Sequence, residues 1–516
     1  MDKRQKVRRR KGVRLSVFMA LFFGAVCVGS LLGFVVSMRP VFALNEEDVI
    51  TLRVCNWEEY MDLGNWEREE QIDLDNGVSI IGEQTVYEDF EDWYYETYGK
   101  RVKVEYSCFG TNEDLYNQLT LGDVYDLVCP SDYMLMKLMA EEKLVPFSEA
   151  FFDETKEQNY YVRGVSPYIK QVFEENKIGD EPWSRYAAGY MWGVTGMLYN
   201  PEKISEAEVS TWSVIGNRKY ARQITIKDNV RDSYFAILGM LKKDKLLSPD
   251  FVNAKNYTEL LAEELNDVTT PTIQASETLL QQVRENVYSF ETDSGKADLV
   301  SGKIVAGYQW SGDAVYTMNI AEEDDTYLQF AVPEECTNLW FDGWIMLKSG
   351  LKQDARKQHA AEAFVNFLSR PDIAIRNMYY IGYTSVIAGE TGDTTVWDYL
   401  RLNYEADTAA EEKIDYPLGY FFSGNDEDEA YMMHAEPDQM KRQLYAQYPP
   451  EDVIRRSAIM SYYPDDKNAE INQMWIHIRC FNLNRIPRVY RYLCILVLVA
   501  GVAYAGVRRL VKRHGK

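Results

Sequence analysis

The chain has 516 residues, 46% of them hydrophobic, and a formal net charge of −24. Residues 1–14 and 485–516 together carry an excess of fifteen positive charges, so the body between them carries −39. A body this acidic repels nucleic acid and favours cationic ligands, although acidic surfaces also serve solubility alone. The four histidines are scattered, which gives no support to a histidine metal site or a hydrolase triad.

An uncharged apolar segment lies beside each basic end. Leu15 to Met38 is long enough to cross a bilayer, and Val41-Phe-Ala43 follows as a small-residue cleavage site. Residues 1–44 therefore predict either a removable signal peptide or a retained membrane anchor. Residues 488–510 predict a transmembrane helix with a basic cytosolic tail, a basic amphipathic surface helix being the alternative. The positive-inside rule places both termini in the cytosol and the acidic body outside.

The cysteines of the body do not follow the spacing of a metal or redox motif. Cys55, Cys108, Cys129 and Cys336 lack CxxC spacing, and three of them lie in β-rich contexts. We expect buried thiols there rather than a disulfide framework, and the sequence leaves their disulfide state open.

The first part of the body alternates strands and helices, which predicts an α/β parallel sheet. Residues 61–84 form a polar insertion without clear period, and residues 145–187 are expected to be an irregular surface segment. The apolar, glycine-punctuated run from Ala188 to Asn200 predicts either a strand pair or one strand that crosses between two lobes. The predicted strands are 51–55, 101–106, 125–129, 223–227, 304–309, 328–332 and 343–348; the predicted helices are 85–98, 112–121, 133–142, a helix ending at 240, 257–264, 276–287 and 355–369.

Two segments pair an indole with a nearby carboxylate: Trp310 with Asp313, and Trp340 with Asp342. An indole face attracts an organic cation by about 0.5–2 kcal/mol, and the carboxylate supplies a charge-assisted hydrogen bond. Two such pairs could hold the two ends of a linear dication. The alternative is that the tryptophans belong to the core and the aspartates to turns.

Four segments are expected to be loops at the ends of predicted strands, where open α/β sheets bind ligands. They are Trp57–Tyr60, Ser131–Tyr133, Trp310–Asp313 and Trp340–Asp342. We expect these loops to meet at one site.

Seven short motifs, in order over roughly residues 50–480, resemble those of the polyamine-binding members of the bacterial extracellular solute-binding proteins, the spermidine/putrescine receptors of ABC importers. The motifs are Val54–Tyr60, Tyr125–Tyr133, Tyr190–Thr195, Val230–Asp232, Trp310–Ala314, Asn338–Asp342 and Ile381–Tyr383. The resemblance implies a type II periplasmic-binding-protein fold of two α/β lobes joined by crossing strands, between the two apolar terminal helices. By analogy, lobe 1 is residues 50–194 and 341–391, and lobe 2 is residues 195–340 and 392–484.

The resemblance also implies the ligand contacts. Aromatic residues would pack on the ligand's methylene groups, while Asp232, Asp313, Asp342 and Glu59 would hold its amines. Asn229 falls where some spermidine binders carry Asp, which together with Asp313 favours putrescine over spermidine. The implied contact residues are Trp57, Glu59, Tyr60, Ser131, Tyr133, Asp232, Thr292, Trp310, Asp313, Trp340, Asp342 and Tyr383.

The function implied is a membrane-tethered, extracytoplasmic receptor that delivers a polyamine to an ABC permease and ATPase. Two alternatives stay open: the same fold binding another cationic solute or acting as a sensor, and an anchored glycan-processing enzyme with paired carboxylates. The sequence has no GxSxG, HExxH or Walker motif, so we expect no enzyme, no metal and no cofactor.

Overall fold

The structure is a computed structural model that describes residues 49–480, except positions 293, 408, 409 and 411. The apolar segments predicted within 1–44 and 488–510 lie outside these residues. No helix in this part of the chain has both the length and the apolar character needed to cross a membrane.

The fold is a mixed α/β structure built on one large branched sheet and three two-stranded sheets. Its strands are β1 (Val49–Trp57), β2 (Ile72–Asp73), β3 (Ser79–Ile80), β4 (Arg101–Phe109), β5 (Leu127–Val128), β6 (Leu144–Val145), β7 (Lys177–Ile178), β8 (Glu181–Pro182), β9 (Ala187–Tyr199), β10 (Ile224–Lys227), β11 (Ser289–Glu291), β12 (Ala306–Trp310), β13 (Gln329–Ala331), β14 (Thr337–Leu347), β15 (Thr384–Ser385), β16 (Ile414–Pro417), β17 (Met432–Ala435) and β18 (Ser457–Ala458).

Helices follow most of the strands of the large sheet. The first begins at Thr85, whose hydroxyl accepts a hydrogen bond from the backbone of Glu88, and it ends at Gly99 in the left-handed region. The α-helices are Val86–Tyr98, Asn112–Leu121, Asp132–Ala140, Tyr160–Gly164, Pro167–Glu175, Glu206–Val209, Val230–Leu241, Lys243–Leu246, Pro249–Val252, Tyr257–Leu265, Thr270–Asn286, Ser294–Val300, Ser311–Glu323, Lys348–Leu351, Ala355–Leu368, Pro371–Ile381, Thr395–Tyr404, Gly419–Phe422, Gln443–Gln447, Glu451–Arg455 and Asp465–Arg479.

Strands β9 and β14 join two groups of parallel strands. In the first group, β1 pairs with β4 and β5, and β5 pairs with the end of β14. In the second, β10 pairs with β11 and β12, and β12 pairs with the second half of β9. Because β9 and β14 also pair with each other, both run from one group to the other. Residues 187–199 thus form one continuous crossing strand and not a pair of strands.

Several predictions of local structure are wrong. Ser131–Tyr133 and Trp310–Asp313, expected to be loops, run into helices Asp132–Ala140 and Ser311–Glu323. Residues 145–187 are not irregular, since helices Tyr160–Gly164 and Pro167–Glu175 form there; Ile169 and Phe173, four residues apart, are buried on the second helix. Trp340–Asp342 does not form a loop at a strand end but lies inside β14. Every residue of β14 is buried, so its sequence lacks the alternation of apolar and polar residues that marks a half-buried strand.

Buried side chains form a continuous core along the large sheet. Trp183, Trp192, Trp212 and Trp344 are among its largest fully buried members, so these four indoles are structural. Cys55, Cys129 and Cys336 are buried free thiols, and Cys108 is an exposed free thiol.

The 61–84 segment is held on the body by a buried arginine. Arg376, on helix Pro371–Ile381, contacts the carboxylates of Asp62 and Asp89 and the carbonyl oxygen of Gln84. Arg376 and Asp62 are both fully buried, so each needs the other to offset its desolvation.

Replacing Arg376 should therefore destabilise the protein strongly. In Arg376→Ala the buried Asp62 carboxylate loses its counter-charge, and we expect the free energy of unfolding to fall by about 3–5 kcal/mol in urea denaturation. Arg370→Ala is the control. It removes the partly exposed ion pair with Asp372 at the start of the same helix, and it should change the free energy of unfolding by less than about 1 kcal/mol. Equal losses in the two variants would rule out this role for Arg376.

Candidate ligand-binding site

The site is organised around Asp342, at an irregular point of the crossing strand β14. Asp342 pairs with Met191 of β9, and the register shifts between Asp342 and Gly343. Such an irregularity re-aims a side chain relative to a regular strand. The backbone of Asp342 also bridges to Ser131, and the amide of Gly343 donates to the Pro130 carbonyl at 3.1 Å. This contact fixes the Pro130–Ser131 turn beside the carboxylate.

Asp342 carries an unsatisfied buried carboxylate. Its Oδ2 accepts a hydrogen bond from the Tyr60 hydroxyl at 2.7 Å, while its buried Oδ1 has no hydrogen-bond partner. No basic side chain among the described residues lies within 4.0 Å of it. Burial raises the pKa of Asp342 to about 6, against the lowering effect of the Tyr60 and Ser131 hydroxyls. A cationic donor would satisfy both the free oxygen and the charge.

Aromatic rings surround this carboxylate. The ring centroid of Tyr60 lies 5.6 Å from that of Tyr190 and 5.0 Å from that of Tyr383, in edge-to-face arrangements. Tyr383 also lies 5.6 Å from Trp340, whose indole N–H donates to the Val194 carbonyl at 3.3 Å. These rings make the surroundings of the carboxylate largely apolar.

The second indole–carboxylate segment packs directly on these rings. A Cβ atom on Gly312 would lie 2.2 Å from the Tyr383 ring, and one on Gly193 would lie 2.3 Å from the Ser311 hydroxyl and 2.7 Å from the Trp340 ring. Only glycine permits such close approach at these positions. The structure thus brings the Trp310–Asp313 and Trp340–Asp342 segments together, as the sequence predicts.

Asp313, unlike Asp342, is already paired within the protein. Trp310 ends β12, and Asp313 lies in the first turn of helix Ser311–Glu323. The Asp313 carboxylate accepts from Lys227 Nζ at 3.2 Å and Lys296 Nζ at 2.9 Å. Burial alone would raise the pKa of Asp313, but these two ammonium groups lower it below its ordinary value. Ligand contact by Asp313 stays a prediction, and its two lysine partners argue against it.

Asp232 lies beside the same indole. It is buried in the first turn of helix Val230–Leu241, and the Trp310 indole N–H donates to its Oδ1 at 3.4 Å. Burial raises the pKa of Asp232 to about 6, with Lys227 acting in the opposite direction. Asn229 is the N-cap of this helix, and its side-chain oxygen accepts hydrogen bonds from the backbone amides of Arg231 and Asp232.

Ser131 and Tyr133 lie at the start of helix Asp132–Ala140, with Ser131 in the N-cap position. The Tyr133 hydroxyl donates to Glu113 Oε1 at 3.2 Å, and the Arg231 guanidinium lies 4.2 Å from the Tyr133 ring centroid. The phenol is therefore oriented by two charged side chains that the sequence analysis does not identify.

The remaining predicted residues lie at strand ends. Trp57 ends β1, is half-buried, and has a buried indole N–H without a hydrogen-bond partner. Thr292 follows β11, and its carbonyl accepts from Lys227 Nζ at 3.4 Å. Glu59, with a φ of 53°, is the exposed member of the predicted set, so it fits a buried ammonium site least well.

Some site residues are missed by the sequence analysis. Tyr190 and Lys227 are buried in strands, and Lys296 lies on helix Ser294–Val300. Two signals are available: Tyr190 begins the motif Tyr190–Thr195, and Lys227 lies at the carboxyl end of a predicted strand, where ligand sites lie. Within the described residues, no group of three or more His, Cys, Asp or Glu side chains is arranged to hold a metal.

A two-lobed α/β fold with crossing strands and a buried carboxylate in an aromatic box is typical of solute-binding proteins. Residues 85–403 match the family model of the bacterial extracellular solute-binding proteins, and the chain belongs to this family. The protein is therefore an extracellular solute-binding protein and not an enzyme, which excludes the glycan-processing alternative.

Characterised relatives and solved structures agree with this assignment. The chain is 25% identical over 297 residues to the putrescine-binding periplasmic protein PotF of Escherichia coli, covering 55% of this chain and 71% of PotF. It is 24% identical over 344 residues to the spermidine/putrescine-binding periplasmic protein of the same organism, covering 66% and 79%. The Streptococcus pneumoniae substrate-binding protein PotD superposes with a TM-score of 0.51 at 19% identity, covering 83% of this chain and 98% of PotD, which confirms the periplasmic-binding-protein fold.

The unpaired Asp342 carboxylate should lower the stability of the unliganded protein. Its folded-state pKa of about 6 lies above the unfolded value, so the folded state binds the proton more tightly and stability falls as pH rises from about 4 to 6. We expect Asp342→Asn to raise the free energy of unfolding by about 1–3 kcal/mol near neutral pH, the gain vanishing near pH 4. Urea denaturation at several pH values measures this; a variant less stable than the wild type throughout would show that the carboxylate has a partner.

Proposed function

We propose that this protein is the polyamine-binding subunit of an ABC importer, with putrescine or spermidine as its ligand. The observation that carries the proposal is the buried Asp342 carboxylate, whose Oδ1 has no partner among the described residues. A desolvated carboxylate is costly unless a positive group pairs with it. An ammonium group of the ligand, bound at Oδ1, supplies that pairing.

The walls of the site favour a thin alkyl amine. Tyr60, Trp340 and Tyr383 present apolar surfaces beside Asp342, and the Gly312 backbone approaches Tyr383 closely. Apolar walls suit the methylene groups of a linear amine, and the carboxylate repels anionic ligands. The proposal keeps the other predicted contacts as residues around the Asp342 site. They are Trp57, Glu59, Ser131, Tyr133, Asp232, Thr292, Trp310 and Asp313.

The names of two relatives support a polyamine as the ligand. PotF is named for putrescine, and the other E. coli relative for spermidine and putrescine. We infer a preference for putrescine, because Asn229 is neutral and its side-chain oxygen is used as a helix cap. Asn229 therefore offers no carboxylate to a middle ammonium group of a triamine.

The proposed lobes are residues 50–194 with 341–391, and residues 195–340 with 392–484. Two of the contacts between these lobes involve charged side chains. Arg231 stacks on Tyr133, and Lys137 Nζ lies 2.7 Å from Asp465 Oδ1. Hinge closure around the ligand would form these contacts and exclude water from Asp342.

We further propose that the body is tethered to the extracytoplasmic face of the membrane. Residues 1–44 would serve as anchor or signal peptide and residues 488–510 as a transmembrane helix. In this position the protein would deliver its ligand to the permease and ATPase subunits of the importer.

Calorimetric titration of the full-length protein tests the proposal. We expect putrescine to bind with a Kd of about 10 μM or below and spermidine more weakly. Asp342→Asn should weaken putrescine binding by about 1.5–3 kcal/mol, since it removes a hydrogen bond to a charged group. Asp415→Asn makes the same change at an exposed aspartate and should bind like the wild type. No binding of either amine, or equal effects of the two variants, would refute the proposal.

Binding should also depend on pH. An ammonium group pairs only with ionised Asp342, and the pKa of this carboxyl is about 6 in the unliganded protein. Below about pH 6 protonation competes with the ligand, and we expect the affinity for putrescine to fall by up to about tenfold per pH unit. Asp342→Asn should show a weaker dependence. An affinity that stays constant from about pH 5 to pH 8 would be inconsistent with an ionised Asp342 at the site.

A further inference from the structure

Lys227 is a fully buried lysine at the carboxyl end of β10. Its ammonium group donates to Gln309 Oε1 at 3.0 Å, Asp313 Oδ2 at 3.2 Å and the Thr292 carbonyl at 3.4 Å. A buried ammonium is unfavourable without such partners. Lys227 is thus held in one position by three acceptors.

The same ammonium lies 3.7 Å from the centroid of the Trp310 ring. An indole face beside a carboxylate is an ammonium-binding arrangement, combining cation–π attraction with a charge-assisted hydrogen bond. Trp310 and Asp313 form this arrangement, and Lys227 occupies it from within the protein. Lys296 adds a second positive charge on Asp313 at 2.9 Å.

Charged side chains of both signs lie close to Trp310. Asp232 and Asp313 are its buried carboxylate neighbours, and Lys227 and Lys296 are the ammonium groups on Asp313. The ammonium groups on Asp313 lower its pKa, as expected for a paired carboxylate. Asp342 has no cationic partner within 4.0 Å among the described residues. The two indole–carboxylate segments therefore differ in their capacity for a ligand cation.

We propose that Lys227 takes the place of one ligand ammonium, so that the site recognises a linear primary amine through a single ammonium group at Asp342. This inference rests on the proposed function and specifies its ligand class. The far end of the ligand needs no charge, and a mono-N-acylated diamine binds as well as the corresponding diamine. Lys227 is then a specificity-determining residue that removes the preference for dications.

The wild-type protein tests the inference without any substitution. Calorimetric titration of the full-length protein with putrescine and with N-acetylputrescine compares a dication with a monocation of similar alkyl chain. We expect the two Kd values to differ by less than about fivefold. A preference for putrescine of about fivefold or more would show that the second ammonium displaces Lys227, and would overturn the inference.

Lys227→Met tests the role of the lysine itself. The variant removes the ammonium from the Trp310 face and from Asp313 Oδ2, which become available to the second ammonium of putrescine, while Lys296 stays on Asp313 Oδ1. We expect its preference for putrescine over N-acetylputrescine to rise to about tenfold or more. Lys303→Met is the matched control, because Lys303 also lies over an aromatic ring, Tyr288 at 4.7 Å, and pairs with Asp298, but is exposed. The control should keep the wild-type ratio.

The outcomes separate the two proposals. A folded Lys227→Met protein with the wild-type ratio, or equal changes in both variants, would overturn the inference while leaving polyamine binding intact. If Lys227→Met does not fold, the ratio of the Kd values of putrescine and N-acetylputrescine for the wild-type protein alone tests the inference. If neither amine binds the wild-type protein, the proposed function fails and the inference fails with it.

Discussion

An unpaired carboxylate, desolvated inside a box of aromatic rings, is the constraint on which this structure depends. Asp342 keeps one oxygen without a partner and has a pKa of about 6, so its ionised form weakens the unliganded fold. A protein tolerates such a group where function requires it. The ligand's ammonium would complete the hydrogen bonding that the fold leaves incomplete, which links stability, affinity and pH dependence to one side chain.

The crossing strands explain how distant segments reach this carboxylate. β14 carries Trp340 and Asp342, β9 passes beside it, and β12 delivers the Trp310 turn against Tyr383. Both segments pair an indole with a carboxylate, yet the surroundings make them chemically different. Lys227 and Lys296 neutralise Asp313, whereas Asp342 keeps its charge available. Motif identity alone therefore does not establish which carboxylate holds the ligand.

Much of the fold and part of the site follow from the sequence. The spacing of apolar residues predicts helices such as Asn112–Leu121, and the motifs include Tyr60, Trp340 and Tyr383, which lie around the Asp342 carboxylate. The strand around Trp340–Asp342 is missed because it is buried on both faces, so its sequence lacks the alternation of apolar and polar residues that predicts a half-buried strand. Lys227 is missed for another reason, since a lysine at the end of a short strand is ordinarily solvated, and only tertiary contacts reveal that it is buried.

The most direct test of the central claim is a crystal structure of the protein with putrescine. The account predicts a ligand nitrogen about 2.7–3.1 Å from Asp342 Oδ1, with the methylene chain against Tyr60 and Tyr383 and with Lys227 still over Trp310. A complex in which Asp342 Oδ1 contacts only water, while putrescine lies elsewhere in the protein, would contradict it.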